Sequence, residues 1–429
     1  MLIRNSNYLN IFFYHIFLFL FRTGAVISSL FNSKTKKWLL GRKDIFNKLE
    51  TSISNDANII WMHCSSLGEF EQGRPVLEKL RLQYPASKIL LTFFSPSGYE
   101  VQKDYAGAHW VFYLPMDSRS NAKRFLEIVN PSLVIFVKYE FWYYYVKKIK
   151  EKRIPLLLVS ALFPKNTAFF KWYGRLQRKM LPCFTHFFVQ NEESKKLLGQ
   201  LGYSNISVAG DTRFDRVIEI AEKWESVSVI EKFIADKKVI VAGSTWQEDE
   251  IILQRAMKAT GNICKLIIAP HELTEKELEE LRKMFPDSVR YSQLINASPD
   301  SELFFSNCLI IDNMGMLSRL YKYGHVTYVG GGMTSYGVHN VLEAAVYGKP
   351  VIFGPYYQKY IEAVGLVENK GAIIVKNERE LSETFASLLE NKNQLHDKTG
   401  EAAARFMRQH AGATQKIFHF IQEKRLLTN

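Results

Sequence analysis

No two cysteines in this 429-residue chain form a C-x-x-C pair; the four present (Cys64, Cys183, Cys264, Cys308) are scattered. Spacing therefore indicates neither a zinc site nor a disulfide framework, and it leaves buried free thiols in a reducing compartment as the plain reading. No zinc-finger or RNP-type signature occurs, so nucleic acid is not an expected partner. There is no internal repeat and no low-complexity tract. Acidic residues are the minority charge: 56 Lys and Arg stand against 43 Asp and Glu, a formal net charge of +13. Such an excess suits an anionic partner, whether nucleic acid, anionic lipid or a phosphorylated substrate, and does not choose among them.

What is present describes a globular protein, with 47% hydrophobic and 23% charged residues. The chain is too long for one ordinary core, so two large domains are expected. The N-terminus stands apart. Ile11–Phe21 reads I-F-F-Y-H-I-F-L-F-L-F, apolar character resumes at Gly24–Phe31, and Lys34, Lys36, Lys37, Arg42 and Lys43 follow. Counted through Arg22, the run just reaches the ~20 residues of a spanning helix. No small-residue cleavage site is clearly placed after it, and the basic cluster would hold the remainder on the cytoplasmic side. The segment 1–45 reads as an uncleaved anchor, spanning or interfacial; the alternative is a buried core helix.

Two halves then show the same alternation. Apolar, β-rich runs occur at Asn58–His63, Ile89–Phe94, Leu133–Val137, Pro155–Ser160, Phe187–Gln190 and Ile206–Ala209. They recur at Lys238–Ala242, Leu266–Ala269, Leu309–Ile311, Val326–Val329, Val351–Phe353 and Ala372–Val375. Helical patterns separate them, including Phe70–Gln83, Glu275–Met284 and His339–Tyr347. This implies an α/β protein with two parallel sheets, each covered on both faces. The charged, strand-poor stretch Arg216–Glu231 is the expected linker. The expected domains are 46–218 and 219–400, facing each other across a cleft, with a last segment 401–429. Ligands in such sheets bind beyond the carboxyl ends of the strands.

Two strand-end loops carry the chemistry. In Trp61–Gly73, W-M-H-C-S-S-L-G-E-F-E-Q-G, a strand ends, Ser65-Ser66-Leu67-Gly68 turns, and Glu69 opens a helix. A carboxylate there can take a proton from an attacking hydroxyl; equally, it can be a first-turn Glu that complements the helix dipole. In the second half, Val326–Val329 runs into Gly330, Gly331 and Gly332, then His339, Asn340 and Glu343, then Val351–Phe353 and Gly354-Pro355. Strand, glycine loop, helix and strand in this order place bare backbone and a helix N-terminus where an anion would sit.

These residues resemble a known family in order along nearly the whole chain. Ser66-Leu67-Gly68-Glu69 is similar to its S-V-G-E loop, Ser95-Pro96-Ser97-Gly98 to S-x-T-G, and Tyr139-Glu140-Phe141-Trp142 to T-E-L-W. Gln190-Asn191-Glu192 and Gly210–Asp215 resemble Q-N-E and G-[SN]-x-K-[FY]-D. Asp312–Leu317 resembles D-T-M-G-E-L, and Gly330-Gly331 with His339-Asn340-x-x-Glu343-Ala344-Ala345 resembles G-G-S…G-H-N-x-x-E-A-A. The family is the 3-deoxy-D-manno-octulosonic acid (Kdo) transferases of lipopolysaccharide synthesis.

The resemblance implies a GT-B fold: an acceptor domain, a CMP-Kdo domain, an active site between them, and a C-terminal helix (Glu401–Arg425) crossing back to the first domain. It implies an inverting transfer of Kdo from CMP-Kdo to a lipid A precursor, with Glu69 as general base. Ser66, Gly68 and Glu140 would meet the acceptor. Arg213, Ser244, Pro270, His271, Met314, Gly315, Gly330, Gly331, Asn340 and Glu343 would meet the donor. Arg213 would face the Kdo carboxylate or phosphate, Glu343 the ribose and Met314-Gly315 the cytosine. The bland roles are a surface arginine, a first-turn capping partner and core filler. No cofactor or metal is expected, because a departing CMP develops less charge than a diphosphate and no D-x-D segment stands at a strand end. The chain departs from the family pattern at Lys138, where a Glu is usual, at Pro270-His271-Glu272 in place of P-R-H, at Ser160–Phe163 in place of A-R-L-S, and at Met316 in place of Glu.

A phosphorylated, acylated acceptor would account for the charge and the anchor. Lys147, Lys148, Lys150, Lys152, Arg153 and the Lys171–Lys179 stretch would dock on an anionic membrane surface, at the cytoplasmic face of the inner membrane, or they are solvated helix faces. Two other readings stand beside this one: a GT-B transferase using a different nucleotide sugar, and a non-catalytic membrane-bound nucleotide-binding scaffold. The sequence carries no sign of oligomeric state.

Overall fold

The computed structural model describes residues 2–54 and 58–427, so the first residue of the expected anchor and the last two of the expected final segment lie outside it. The chain divides into two units, residues 1–216 with 412–429 and residues 217–411. The division falls inside the helix Thr212–Glu222, and the stretch expected as a linker is mostly helical, with Ser228–Ile234 following.

The first unit is built on seven parallel strands: β1 (Ile59–Cys64), β2 (Lys88–Phe93), β3 (Trp110–Tyr113), β4 (Leu133–Val137), β5 (Leu156–Ala161), β6 (His186–Val189) and β7 (Ile206–Val208). Their order is β3-β2-β1-β4-β5-β6-β7. β1 pairs with β2 on one side (Ile60 opposite Ile89) and β4 on the other (Ile60 opposite Leu133). Helices cover both faces, so successive strand residues enter opposite cores. Trp61, Val134 and Phe136 join one cluster, while Met62, Cys64, Ile135 and Val137 join the other. That is why these strands read as unbroken apolar runs.

The second core of this unit is closed by the end of the chain. The expected continuous helix Glu401–Arg425 is two helices, Leu395–His410 and Ala413–Glu423. The break comes at Gly412, whose φ of 97° suits a residue without Cβ. Asp215 then accepts from the N–H groups of Gly412 and Thr414, capping the new helix. Ala413, Ile417, Phe418, Ile421 and Leu427 bury themselves with Ile60, Met62 and Leu77.

The second unit repeats the plan with β8 (Lys238–Thr245), β9 (Cys264–Pro270), β10 (Ser288–Arg290), β11 (Cys308–Ile310), β12 (Val326–Val329), β13 (Val351–Phe353) and β14 (Ala372–Ile374). The order is β10-β11-β9-β8-β12-β13-β14, again all parallel. In both sheets the direction of chain progress reverses beside the first strand, between β1 and β4 and between β8 and β12. All four cysteines are buried and free.

The N-terminal segment is one helix, Leu2–Ser28. Its Ile11–Ser28 portion is long and apolar enough to cross a membrane, and only 6% of it is buried. One flank touches the first unit: Tyr14 donates to Asp117 at 2.6 Å, and Phe21 packs on Trp38 and Phe94. Phe12, Phe13, Phe17, Phe19 and Leu20 are exposed.

Candidate active site

In an open parallel sheet, ligands bind where the strand order reverses. In the first unit that place is formed by the carboxyl ends of β1 and β4. β1 ends at Cys64, Ser65 and Ser66 turn, and the helix Leu67–Gln83 begins, which puts Glu69 in its first turn. Glu69 is half-buried. Its Oε2 accepts from Ser65 N at 2.5 Å and Ser66 N at 3.1 Å, while Oε1 has no partner among the described residues. The first-turn capping role is therefore filled through Oε2. Burial and then the nearby Glu140 carboxylate raise the Glu69 pKa to about 7, opposed by the two N–H groups and by Lys138. Gly68 is exposed beside it.

Glu140 follows β4. Lys138, with φ of 65°, bends the chain at the strand end. Glu140 is turned inward, 4% exposed, 2.9 Å from His63 Nε2 and accepting from Trp142 Nε1. Both contacts fall on the same oxygen, Oε2. Arg213 also lies in this unit and forks onto Asp211, through Nε at 3.0 Å and Nη2 at 2.7 Å. Gln72 donates to the same Asp211 oxygen at 3.0 Å.

In the second unit the reversal lies between β8 and β12. β8 bulges at Ser244, which holds φ of 53°, and β12 runs directly into Gly330. The three glycines are buried under the protein's own backbone. A Cβ on Gly330 would lie 2.3 Å from Ser244 O, and Gly331 has φ of 85°. Their smallness is needed for this close packing before any ligand is considered. The expected helix His339–Tyr347 is only Leu342–Ala345. Val338 N is held by Tyr356 O and His339 N by Gly330 O, which keeps the preceding residues extended. Asn340 turns the chain into that helix: its Oδ1 accepts from Leu342 N at 3.3 Å and its Nδ2 donates to Glu343 at 2.9 Å.

Around this loop stands a stack of rings. Trp246 lies over His271 (4.6 Å between centroids, 27°), and His271 over His339 (4.3 Å, 22°). Trp246 Nε1 donates to His339 Nε2 at 2.8 Å, so that nitrogen carries a lone pair; burial and the neighbouring His271 lower the His339 pKa to about 4. Pro270 pairs with Thr245 across β8 and β9 and hands His271 to the stack, where it is exposed. Met314 is 83% exposed on a turn made by Gly315, with φ of 87°.

Four residues not singled out from sequence organise these loops. Asp249 is fully buried and accepts from Trp246 N, Gly331 N and Tyr328 OH. Asp211 holds Arg213 and Gln72. His63 and Trp246 stand at the centres of the two polar clusters. The signal for Asp249 was present: an acid three residues after Trp246 at a strand end is the pattern of a helix-capping carboxylate.

Residues 41–216 match the family model described as 3-Deoxy-D-manno-octulosonic-acid transferase (kdotransferase). The chain is 30% identical over 350 residues to a 3-deoxy-D-manno-octulosonic acid transferase of Aquifex aeolicus, covering 80% of this chain and 90% of that one. It is also 30% identical over 356 residues to a bifunctional glycosyltransferase/methyltransferase of Fusobacterium nucleatum, covering 79% of this chain; it spans about half of that protein, 54%. Among solved structures, UDP-GlcNAc 2-epimerase of Neisseria meningitidis superposes with a TM-score of 0.59 at 17% identity, over 85% of this chain and all of that one. The fold is GT-B.

Proposed function

The chain belongs to the 3-deoxy-D-manno-octulosonic acid transferases, and on that footing we propose that it moves Kdo from CMP-Kdo to a lipid A precursor with inversion, Glu69 serving as general base. The observation that carries this reading is Glu69 itself: a half-buried carboxylate at the sheet's reversal point, anchored through Oε2, with Oε1 unpartnered among the described residues and a pKa near 7. A base of that strength is matched to neutral pH. The acceptor hydroxyl gives its proton to Glu69 as its oxygen bonds to the anomeric carbon. The bond from that carbon to the phosphate oxygen breaks on the opposite face, and CMP leaves with the electron pair.

The second unit supplies the donor's contacts. Ser244, Pro270, His271, Met314, Gly315, Gly330, Gly331, Asn340 and Glu343, all of this unit, are assigned to CMP-Kdo. Ser66 and Gly68, beside Glu69, are assigned to the acceptor. Arg213 is assigned to the anionic groups of Kdo, its guanidinium oriented by Asp211. The acceptor is a phosphorylated, acylated disaccharide presented at an anionic membrane surface, reached by the exposed apolar flank of Ile11–Ser28 and the basic residues at Lys147–Arg153.

The test pairs activity with binding. Glu69→Gln is expected to lose transfer by at least a hundredfold while CMP still raises the melting temperature as in the wild type. Transfer at more than a tenth of the wild-type rate would remove Glu69 from the role. Stabilisation by UDP and not by CMP would point to a different nucleotide sugar.

A further inference from the structure

The basic stretch after the N-terminal helix does not simply face solvent. The first unit holds a cavity of about 530 Å³ with Arg22, Trp38, Arg42, Lys43, Asp44 and Arg124 in its wall. Arg22 comes from the N-terminal helix, Trp38 from the helix Ser33–Gly41 and Arg124 from the helix Arg119–Val129. Arg124 is already matched, its Nε and Nη2 lying 3.1 and 2.9 Å from Glu50 Oε1. Arg22, Arg42 and Lys43 make no ion pair among the described residues, and Asp44 is the one acid in the wall.

Arg42 is the centre of this site. Its guanidinium is packed among rings, 4.1 Å from the centroid of Trp38, 4.7 Å from Tyr113 and 4.8 Å from Phe94. Nε donates to Leu114 O at 3.0 Å, Nη1 to Trp38 O at 3.1 Å and Nη2 to Phe94 O at 2.8 Å. A guanidinium has five N–H groups, so donors remain beyond these three bonds. The acceptors are neutral carbonyls. Rings and carbonyls thus fix the orientation of a half-buried cation and leave it without a counter-charge, which an anion entering the cavity would supply. A guanidinium fork matches phosphate oxygens.

Two placements say which anion. Phe94 follows β2 and Leu114 follows β3, so Arg42 stands at the same carboxyl edge of the sheet that carries Glu69 after β1. The strands β3, β2 and β1 are neighbours, which sets β3 about 10 Å from β1. Arg22 lies within Ile11–Ser28, so the cavity shares a wall with the exposed apolar segment that suits acyl chains. We propose that this cavity binds a phosphate group of the lipid acceptor and holds it while the sugar reaches Glu69. This rests on the acceptor being a phosphorylated lipid; a bilayer phospholipid carries the same chemistry and is the other source.

The experiment uses the full-length protein in detergent micelles and two acceptors, a lipid A precursor with its phosphates and the same lipid with them removed. The variants are Arg22→Gln with Lys43→Gln, and Asp44→Asn. All three side chains are exposed, and Asn suits the positive φ of 55° at position 44, so the fold is retained. Arg42 stays in place because its carbonyl bonds also hold the chain. The double variant is expected to raise the KM for the phosphorylated lipid at least tenfold and Asp44→Asn to lower it, with the KM values for the stripped lipid and for CMP-Kdo within twofold of wild type. Measured without donor, the extra rise in melting temperature that the phosphorylated lipid gives over the stripped one should vanish in the double variant. A KM for the phosphorylated lipid unchanged within twofold, or equal rises for both lipids, overturns the proposal. So does a double variant that loses only its binding to phosphatidylglycerol vesicles, which would give the cavity to a bilayer phospholipid. The acceptor reading fails separately, if the wild type transfers Kdo to neither lipid; the melting measurement then decides the cavity by itself.

Discussion

Asp249 accepts three hydrogen bonds, and its removal leaves Gly331 N, Tyr328 OH and Trp246 N without an acceptor. Asp249→Ala is expected to lower stability by roughly 3 kcal/mol, since each abandoned buried donor costs about 1 kcal/mol or more. Asp249→Asn should recover most of that, because the amide oxygen can take both backbone donors and the Tyr328 hydroxyl can reverse to accept. Denaturant unfolding of the two variants tests this; equal losses would deny the loop-bracing role. Next to it, Glu250 is 7% exposed and accepts from Thr245 Oγ1 at 3.0 Å, and burial lifts its pKa to about 7. The native state therefore holds a proton that the unfolded chain has released between pH 4.5 and 7, so this residue's contribution falls as pH rises through that window. Glu250→Gln is expected to be more stable than wild type at pH 8 and to flatten that slope. Neither acid was singled out from sequence, because what matters about each is its burial, which composition does not display.

At the scale of elements, the N-terminal helix is held by polar bonds from Tyr14 to Asp117 and between His15 and Tyr144, and by a few rings. Tyr14→Phe removes the bond to Asp117, worth about 1 kcal/mol. Hydrogen exchange across Ile11–Ser28 is expected to quicken in that variant, while exchange in β1 and β4 is unchanged. The interior strands of both sheets were legible in the sequence as apolar runs, to within a few residues at their ends. The two strands missed, β3 and β10, are edge strands of four and three residues with partly exposed side chains, too short to stand out as apolar runs. The helix after the glycine loop was read too long because an apolar period cannot reveal that loop hydrogen bonds hold Val338 and His339 extended. The reversal points were legible only after strand order was known. Glu69 and Gly330 could each be found at a strand end from sequence, but that each strand end is a crevice follows from β4 lying beside β1 and β12 beside β8.

At the scale of the molecule, a net charge of +13 and an exposed apolar helix flank predict two-part binding to membranes. Vesicles with anionic lipid should sediment with the protein more strongly than neutral ones, and raising salt to 1 M should remove that difference by shortening the screening length to about 3 Å. Phe17→Asp with Leu20→Asp should lower binding to both kinds, through the 57% and 60% exposed side chains they replace. Unaltered sedimentation of the double variant would take this flank away from the membrane.

The helix Ala413–Glu423 seals a core begun by β1. Domains emerging from the ribosome ordinarily fold in the order they are made. Here the half synthesised first is not completed until Ala413–Glu423 has emerged, so its nascent apolar face stays open while the other half is translated. Stalling synthesis just short of Ala413 should yield a chain whose later half is protease-resistant and whose earlier half recruits chaperones.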